Sequence, residues 1–320
     1  MKLYPIQFQS IFKERIWGGT KLKTILNKPI SSEITGESWE ISSVPNDVSI
    51  VANGSLKGKS LNEIIHQFPQ EILGAKVFKQ FGEQFPLLFK YLDAQEDLSI
   101  QVHPNDELAL KNHNSFGKTE MWYVMQSEQK SKLIVGFKEK TSKEEFLKKV
   151  EDKTLLEVLD IRSIKQGDAF LLETGTVHAI GAGTLIAEIQ QTSDITYRIY
   201  DFDRKDAEGN TRELHLDYAM EAINFDVVKA SREYQKEVNT ANQIVDCPYF
   251  TTNYIPLDGM VEVNKTNESF TVYMCVSGSF KLEDQKIAYE YTTGDTVLIP
   301  ANLSSYKLSG NASLLEIYIS

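Results

Sequence analysis

The sequence predicts a mainly β protein with a few inserted helices, and three observations carry that reading. Most segments alternate apolar and polar residues over about four to eight positions, the period of a strand with one buried face. Gly, Pro, Asn and Asp punctuate those runs, as in SGSFKLEDQKIAYEYTTGDTVLIP. A phrase also recurs: GDAFLLETGTVHAI from Gly167 returns as GDTVLIPANLSSYKL from Gly294, so the chain holds two related β units.

Helical spacing is confined to residues 60–67, 71–81, 142–159 and 218–225, with Ser142 and Glu145 placed as a capping box. A chain of 320 residues exceeds what one core usually serves. The charged, strand-poor stretch KASREYQKEVNTANQ, from Lys229 to Gln243, separates the two copies of the repeat. It divides the chain into a domain of residues 1–235, which carries the helical insertions, and a domain of residues 236–320.

Composition excludes several classes. Hydrophobic residues at 41% and charged residues at 25% are those of an ordinary globular protein. A net charge of -11 argues against nucleic acid as a partner, because phosphate-backbone binding concentrates Lys and Arg. Neither a signal-peptide core nor a long apolar run is present, so a cytoplasmic protein with no membrane partner is expected. The two cysteines, Cys247 and Cys275, lack metal-ligand spacing and are expected as reduced thiols.

In Ser99-Ile100-Gln101-Val102-His103 the alternation puts Ser99, Gln101 and His103 on one face and Ile100 and Val102 on the other. Glu120 then enters the apolar run Met-Trp-Tyr-Val-Met, where a buried carboxylate needs a partner or a ligand. His178 follows in the turn VHAIGAG. Gln, His, Glu and His offer O, N, O and N donors, a set that suits zinc and is workable for iron(II), manganese or cobalt.

Other polar residues stand alone in apolar strands. Glu188 and Gln190 share a face opposite Ala187 and Ile189, Arg198 sits within ITYRIYDF, and Lys90 within PLLFKYL. Burial of such charges demands partners. A cavity that meets an anion is one solution; a Glu188–Arg198 ion pair with Lys90 reaching out to solvent is the other.

The repeated phrase resembles the second motif of cupins: Gly167, Gly175 and His178 fit it, with Glu173 in place of its Pro. The C-terminal copy keeps Gly294 and Pro300 but has Ser305 where the first has His178. The fragments RIWGGTKL, GESWEIS, LSIQVHPND, GKTEMWYV, TGTVHAIGAG and QQTSDITYRIYDFDR, in this order, are similar to the signature segments of type I mannose-6-phosphate isomerases, in their shorter bacterial form. The resemblance implies two cupin-like β-barrels of the jelly-roll type, the second metal-free. It implies one zinc ion per chain on His103, Glu120, His178 and Gln101, with Arg198 active at the sugar and Glu188, Lys118, Lys90 and Ser99 lining the same cavity.

The partner so implied is a small sugar phosphate, and the implied reaction interconverts mannose 6-phosphate and fructose 6-phosphate through a cis-enediol. Either Glu188 or Lys118 would move the proton, and Lys90, Lys118, Arg198 and Ser99 are the groups available to the phosphate. Two other readings are open at this point. An iron(II) dioxygenase would share the ligand types, although Gln101 stands where its motif carries a His. A non-catalytic sugar-binding protein would keep the cavity and lose the reactive groups. Nothing in the sequence bears on the oligomeric state.

Overall fold

Alternation translates directly into antiparallel sheets. The computed structural model describes residues 3–205, 208–285 and 287–320. A seven-stranded sheet runs in the spatial order Ile11–Gly19, Thr35–Ile41, Leu87–Ala94, Thr184–Gln191, Glu120–Ser127, Ala169–Leu172 and Ser231–Arg232. Across from it lies a five-stranded sheet in the order Tyr197–Tyr200, Ile100–Val102, His178–Ile180, Lys132–Phe137 and Leu159–Ser163. The jelly-roll expectation takes the form of facing layers whose ladders end in edge strands.

Strand period decides what each face meets. Leu92, Ala94, Trp122, Val124, Phe170 and Ile186 of the first sheet pack on Leu133, Val135 and Ile180 of the second. The polar residues of the same inward face, Lys90, Glu120 and Glu188, are thereby carried into the space between the sheets. One residue out of phase, Phe89, Tyr91, Met121, Tyr123, Ala187 and Ile189 face the other way and join Phe270, Val272, Leu315 and Ile317 in a second core.

Val272, Leu315 and Ile317 belong to the C-terminal sheet and Phe270 immediately precedes it; the sheet orders Asn242–Asp246, Thr251–Asn264, Ser305–Tyr318, Thr271–Asp284 and Ile287–Thr292, with Thr296–Ile299 paired to Thr271–Asp284. This sheet also encloses a core of its own around Tyr273, Phe280, Leu282 and Leu314. The sheet that carries the polar residues is therefore backed by the C-terminal strands, which stiffens it. Both cysteines are free thiols, Cys275 buried and Cys247 half-buried.

Five helices correspond to the four predicted stretches, with instructive differences. Leu61–Gln67 starts at a reciprocal capping box between Ser60 and Glu63. The continuous helix expected over 71–81 is two helices, Pro69–Leu73 and Ala75–Phe81, broken at Gly74. Gly74 has φ 93°, and a Cβ there would lie 2.3 Å from the Glu268 carbonyl oxygen, so only glycine fits. Lys143–Glu151 is capped by Ser142, which accepts from the Glu145 N–H, but it stops early because Lys153 turns left-handed. Leu216–Ala222 stands where 218–225 was expected. Helix Asp106–His113, begun by the Asn105 cap, has no counterpart in the sequence reading. No helix among the described residues is long and apolar enough to cross a membrane.

Candidate metal centre and its cavity

Three elements bring the donors together. His103 follows strand Ile100–Val102, Glu120 opens strand Glu120–Ser127, and His178 opens strand His178–Ile180. Gln101 and His178 are cross-strand partners. The turn before His178 needs Gly175 at φ 87°, and its N–H donates to the His103 carbonyl at 3.0 Å. The two imidazoles are thus tied to each other through the backbone.

Hydrogen bonding settles which ring nitrogens carry the proton, and Lys118 Nζ lies 2.9 Å from His103 Nε2. His103 Nδ1 lies 2.9 Å from the Ile195 carbonyl oxygen, and His178 Nδ1 lies 2.7 Å from that of Thr176. A carbonyl can only accept, so each Nδ1 carries the proton and each Nε2 turns its lone pair inward. The two Nε2 atoms are 3.2 Å apart, and they lie 3.3 and 3.4 Å from the two Glu120 oxygens. A tetrahedral ion with bonds of about 2.0–2.1 Å has edges of about 3.3–3.4 Å. The three side chains, all buried, come within that range, each imidazole facing a different Glu120 oxygen, so a metal ion fits between them.

Charge and burial agree with a cation here. Burial, helped by the Lys118 ammonium, drives the His103 pKa down to about 3 and lowers that of His178, so both rings are neutral ligands at pH 7. Burial by itself would raise Glu120, but the Lys118 ammonium beside it holds it well below the usual carboxylate range. Its two oxygens are buried without a well-directed hydrogen bond, although Lys118 Nζ stands 2.8 Å away. Among the described residues, this is the one group of His, Cys, Asp and Glu with such spacing. Gln101 turns its amide to the same point, with Nε2 3.3 Å from His178 Nε2, and rotating that amide presents Oε1 instead.

Lys118 and Gln101 belong both to this centre and to the wall of a cavity of about 450 Å³, which Ser99, Lys90, Glu188 and Arg198 also line. That volume suits a small ligand. Burial pulls the Lys118 pKa down, but Glu120, Glu188 and Glu37 outweigh it and raise it above its ordinary value.

Lys90 and Glu188 are cross-strand partners, and their charges meet at 3.0 Å. Lys90 also donates to Gln190 Oε1 at 2.7 Å and lies 5.0 Å from the centroid of the Trp39 ring, while Glu188 accepts from Trp122 Nε1 at 3.0 Å. The alternative of a Glu188–Arg198 pair with Lys90 in solvent is overturned: Glu188 pairs with Lys90, which is 6% exposed.

Arg198 pairs in register with Gln101, which places it beside the metal centre. It stands on an edge strand, so its backbone N–H finds no strand partner outside. His215 supplies one: its Nδ1 accepts the Arg198 N–H at 3.1 Å, and its own N–H donates back to the Arg198 carbonyl at 2.7 Å. The guanidinium donates to the Glu213 carbonyl through Nη1, while the buried Nε has no partner in the protein. Burial and the neighbouring Arg212 lower its pKa from the ordinary value.

Sequence reasoning missed several wall residues: Trp17, Glu37, Trp39 and Arg212. The signal for two of them was present, since Glu37 and Trp39 alternate in GESWEIS and share a face. Their side chains are joined, Trp39 Nε1 donating to Glu37 at 2.6 Å. Arg212 had no strand pattern to betray it. It is delivered by a loop and held by Asp201, which pairs with both Arg204 and Arg212. Ser305, aligned with His178 in the repeat, is exposed at the head of its strand, and Tyr306 takes the inward position.

Residues 6–131 match the family described as phosphomannose isomerase type I, catalytic domain, and residues 240–319 match the mannose-6-phosphate isomerase cupin domain. The chain is similar to mannose-6-phosphate isomerase ManA of Bacillus subtilis (strain 168), at 38% identity over 100% of both chains. It is also similar to a mannose-6-phosphate isomerase of Streptococcus mutans, at 35% identity over 97% of each. Among solved structures, the mannose 6-phosphate isomerase from Bacillus subtilis superposes with a TM-score of 0.90 at 35% identity, over 98% of this chain and 99% of that one. A putative mannosephosphate isomerase from Archaeoglobus fulgidus shares the fold, with a TM-score of 0.82 at 22% identity, over 100% of this chain and 99% of that one.

Proposed function

We propose how catalysis is divided among the residues of a chain that belongs to the type I phosphomannose isomerase family. The protein is an aldose-ketose isomerase that interconverts mannose 6-phosphate and fructose 6-phosphate. One zinc ion per chain would be held by His103, Glu120 and His178, with Gln101 able to serve as a fourth, exchangeable donor. The observation that carries zinc is the spacing of 3.2–3.4 Å among the inward nitrogen and oxygen atoms, with both imidazoles locked as Nε2 donors. Zinc supplies Lewis-acid polarisation of the sugar oxygens without changing redox state.

The isomerisation carries a proton between C2 and C1 of the open-chain sugar by way of a cis-enediol. Glu188 takes that proton and returns it, because Lys118, raised above its ordinary pKa among three carboxylates, stays an ammonium and is poised to donate to an oxygen. Lys90 pairs with one Glu188 oxygen and aims the carboxylate, and Trp122 fixes its other oxygen. Arg198, whose side chain lines the cavity, meets the negative charge that develops on the enediolate oxygens. The phosphate is assigned to Arg212, which lines the cavity and is oriented by its pairing with Asp201, with Ser99 as a neutral donor. Residues 1–235 then form the catalytic domain, and residues 236–320 the metal-free one that backs its main sheet.

Chelation is expected to abolish turnover of mannose 6-phosphate in a coupled assay while circular dichroism keeps its β signal, and added zinc is expected to restore activity. The packed apolar cores supply the stability of both sheets without the ion. Loss of the β signal in step with activity would make the ion structural. Glu188→Gln tests the proton carrier: turnover is expected to fall by about 10²–10⁴ with zinc content unchanged. Turnover within a few-fold of the parent would pass the role to Lys118.

A further inference from the structure

The segment that delivers Lys118 and Glu120 to the metal centre is an irregular turn, and its backbone is held by side chains from two other parts of the fold. Gly117 N–H donates to Asp106 Oδ1 at 2.8 Å. Thr119 N–H donates to Gln191 Oε1 at 2.8 Å, and the Gln191 N–H donates back to the Thr119 carbonyl at 3.1 Å. The Gln191 amide is in turn fixed by donation from its Nε2 to the same Asp106 Oδ1, at 3.0 Å. The other Asp106 oxygen, Oδ2, accepts from the hydroxyl of Tyr249 at 3.0 Å. Tyr249 comes from the C-terminal part of the chain, just before strand Thr251–Asn264. One carboxylate therefore gathers a turn, a strand end and a residue that lies beyond the proposed domain boundary.

From these contacts we infer that Asp106 is a positioning residue of the metal centre, and that Tyr249 couples the C-terminal domain to the turn it holds. Gly117 has little freedom to relocate, since a Cβ there would stand 2.7 Å from the Asp106 backbone nitrogen. Fixing the N–H groups on either side of Lys118 sets the direction in which its ammonium and the Glu120 carboxylate leave the backbone. Asp106 touches neither metal donor nor cavity; it acts through the turn. Outer hydrogen bonds of this kind typically change metal affinity by about 10–100-fold. A bland role is also available to Asp106, as an acidic residue in the first turn of helix Asp106–His113. The two roles separate on substitution: asparagine keeps an oxygen for Gly117 and Gln191 and an amide for Tyr249, but lacks the charge that the helix terminus favours.

This inference rests on the metal-centre reading, and its test has two readouts, one of them free of metal. Zinc binding to the chelator-treated full chain is followed by calorimetry, and amide hydrogen exchange of residues 117–120 is followed in the same metal-free protein. Asp106→Ala is expected to weaken zinc binding by about 10–100-fold and to speed exchange in the turn by about tenfold or more. Asp106→Asn should stay within a few-fold of the parent in both, and Tyr249→Phe should fall between the two. Exchange in Asp106→Ala equal to that of the parent would overturn the proposal, as would Asp106→Asn behaving like Asp106→Ala, which would point to the helix-terminus charge. A parent that binds no zinc would sink the metal centre, while the exchange rates would still decide whether Asp106 holds the turn.

Discussion

His178→Ala is expected to strip the enzyme of its metal and take turnover below detection, whereas Ser305→Ala leaves both at the parent level. His178 contributes one of three inward donors, and its Nε2 lies 3.2 Å from that of His103 and 3.4 Å from Glu120. Losing an outer hydrogen bond costs about 10–100-fold in metal affinity, and losing a direct ligand costs more than that. The site left behind, one imidazole, one carboxylate and the weak Gln101 amide, would not retain zinc through purification. His178 also packs edge-on against Trp122 at 5.4 Å, so a variant that preserves volume, His178→Gln, separates ligand loss from a packing defect. Elemental analysis beside thermal unfolding decides the matter. Zinc retained by both variants, or two ions per chain in the parent, would remove His178 from its assigned role.

Arg198→Ala is the second large effect. A guanidinium cannot serve as a base at neutral pH, so its contribution is charge stabilisation or positioning. Removing one well-placed donor to a developing oxyanion costs on the order of 3–4 kcal/mol, so turnover is expected to fall by roughly a hundredfold or more. Zinc content should stay at the parent level, because Arg198 donates to Glu213 and is braced by His215 without touching the ligands. If Arg198 only gripped the phosphate of the bound sugar, the Michaelis constant would rise while turnover held steady. Steady-state kinetics with zinc measured in the same preparation distinguishes the two.

Much of the site was legible because a strand's period is local. In Ser99 to His103 and in Glu188 to Gln190, alternation placed the polar residues on one face, and the structure carries those faces between the two sheets. The end of the helix expected over 142–159 was not legible, since the reversal at Lys153 depends on a backbone conformation that its side chain does not announce. Nor was the break at Gly74, which is imposed by the close approach of Glu268, far away in sequence.

By itself the sequence determined the mainly β class, the shared face of Ser99, Gln101 and His103 and that of Glu188 and Gln190, and, through its signature fragments, the family to which the chain belongs. Tertiary structure alone decided the pairings. Lys90 meets Glu188 because the register of Leu87–Ala94 with Thr184–Gln191 sets them opposite. Arg212 reaches the cavity on a loop tethered by Asp201, and Asp106 joins Gly117, Gln191 and Tyr249 from three distant stretches of chain. The division has one physical reason: which way a side chain points is set by the few residues around it, whereas what it meets there depends on register and packing between segments that the sequence separates.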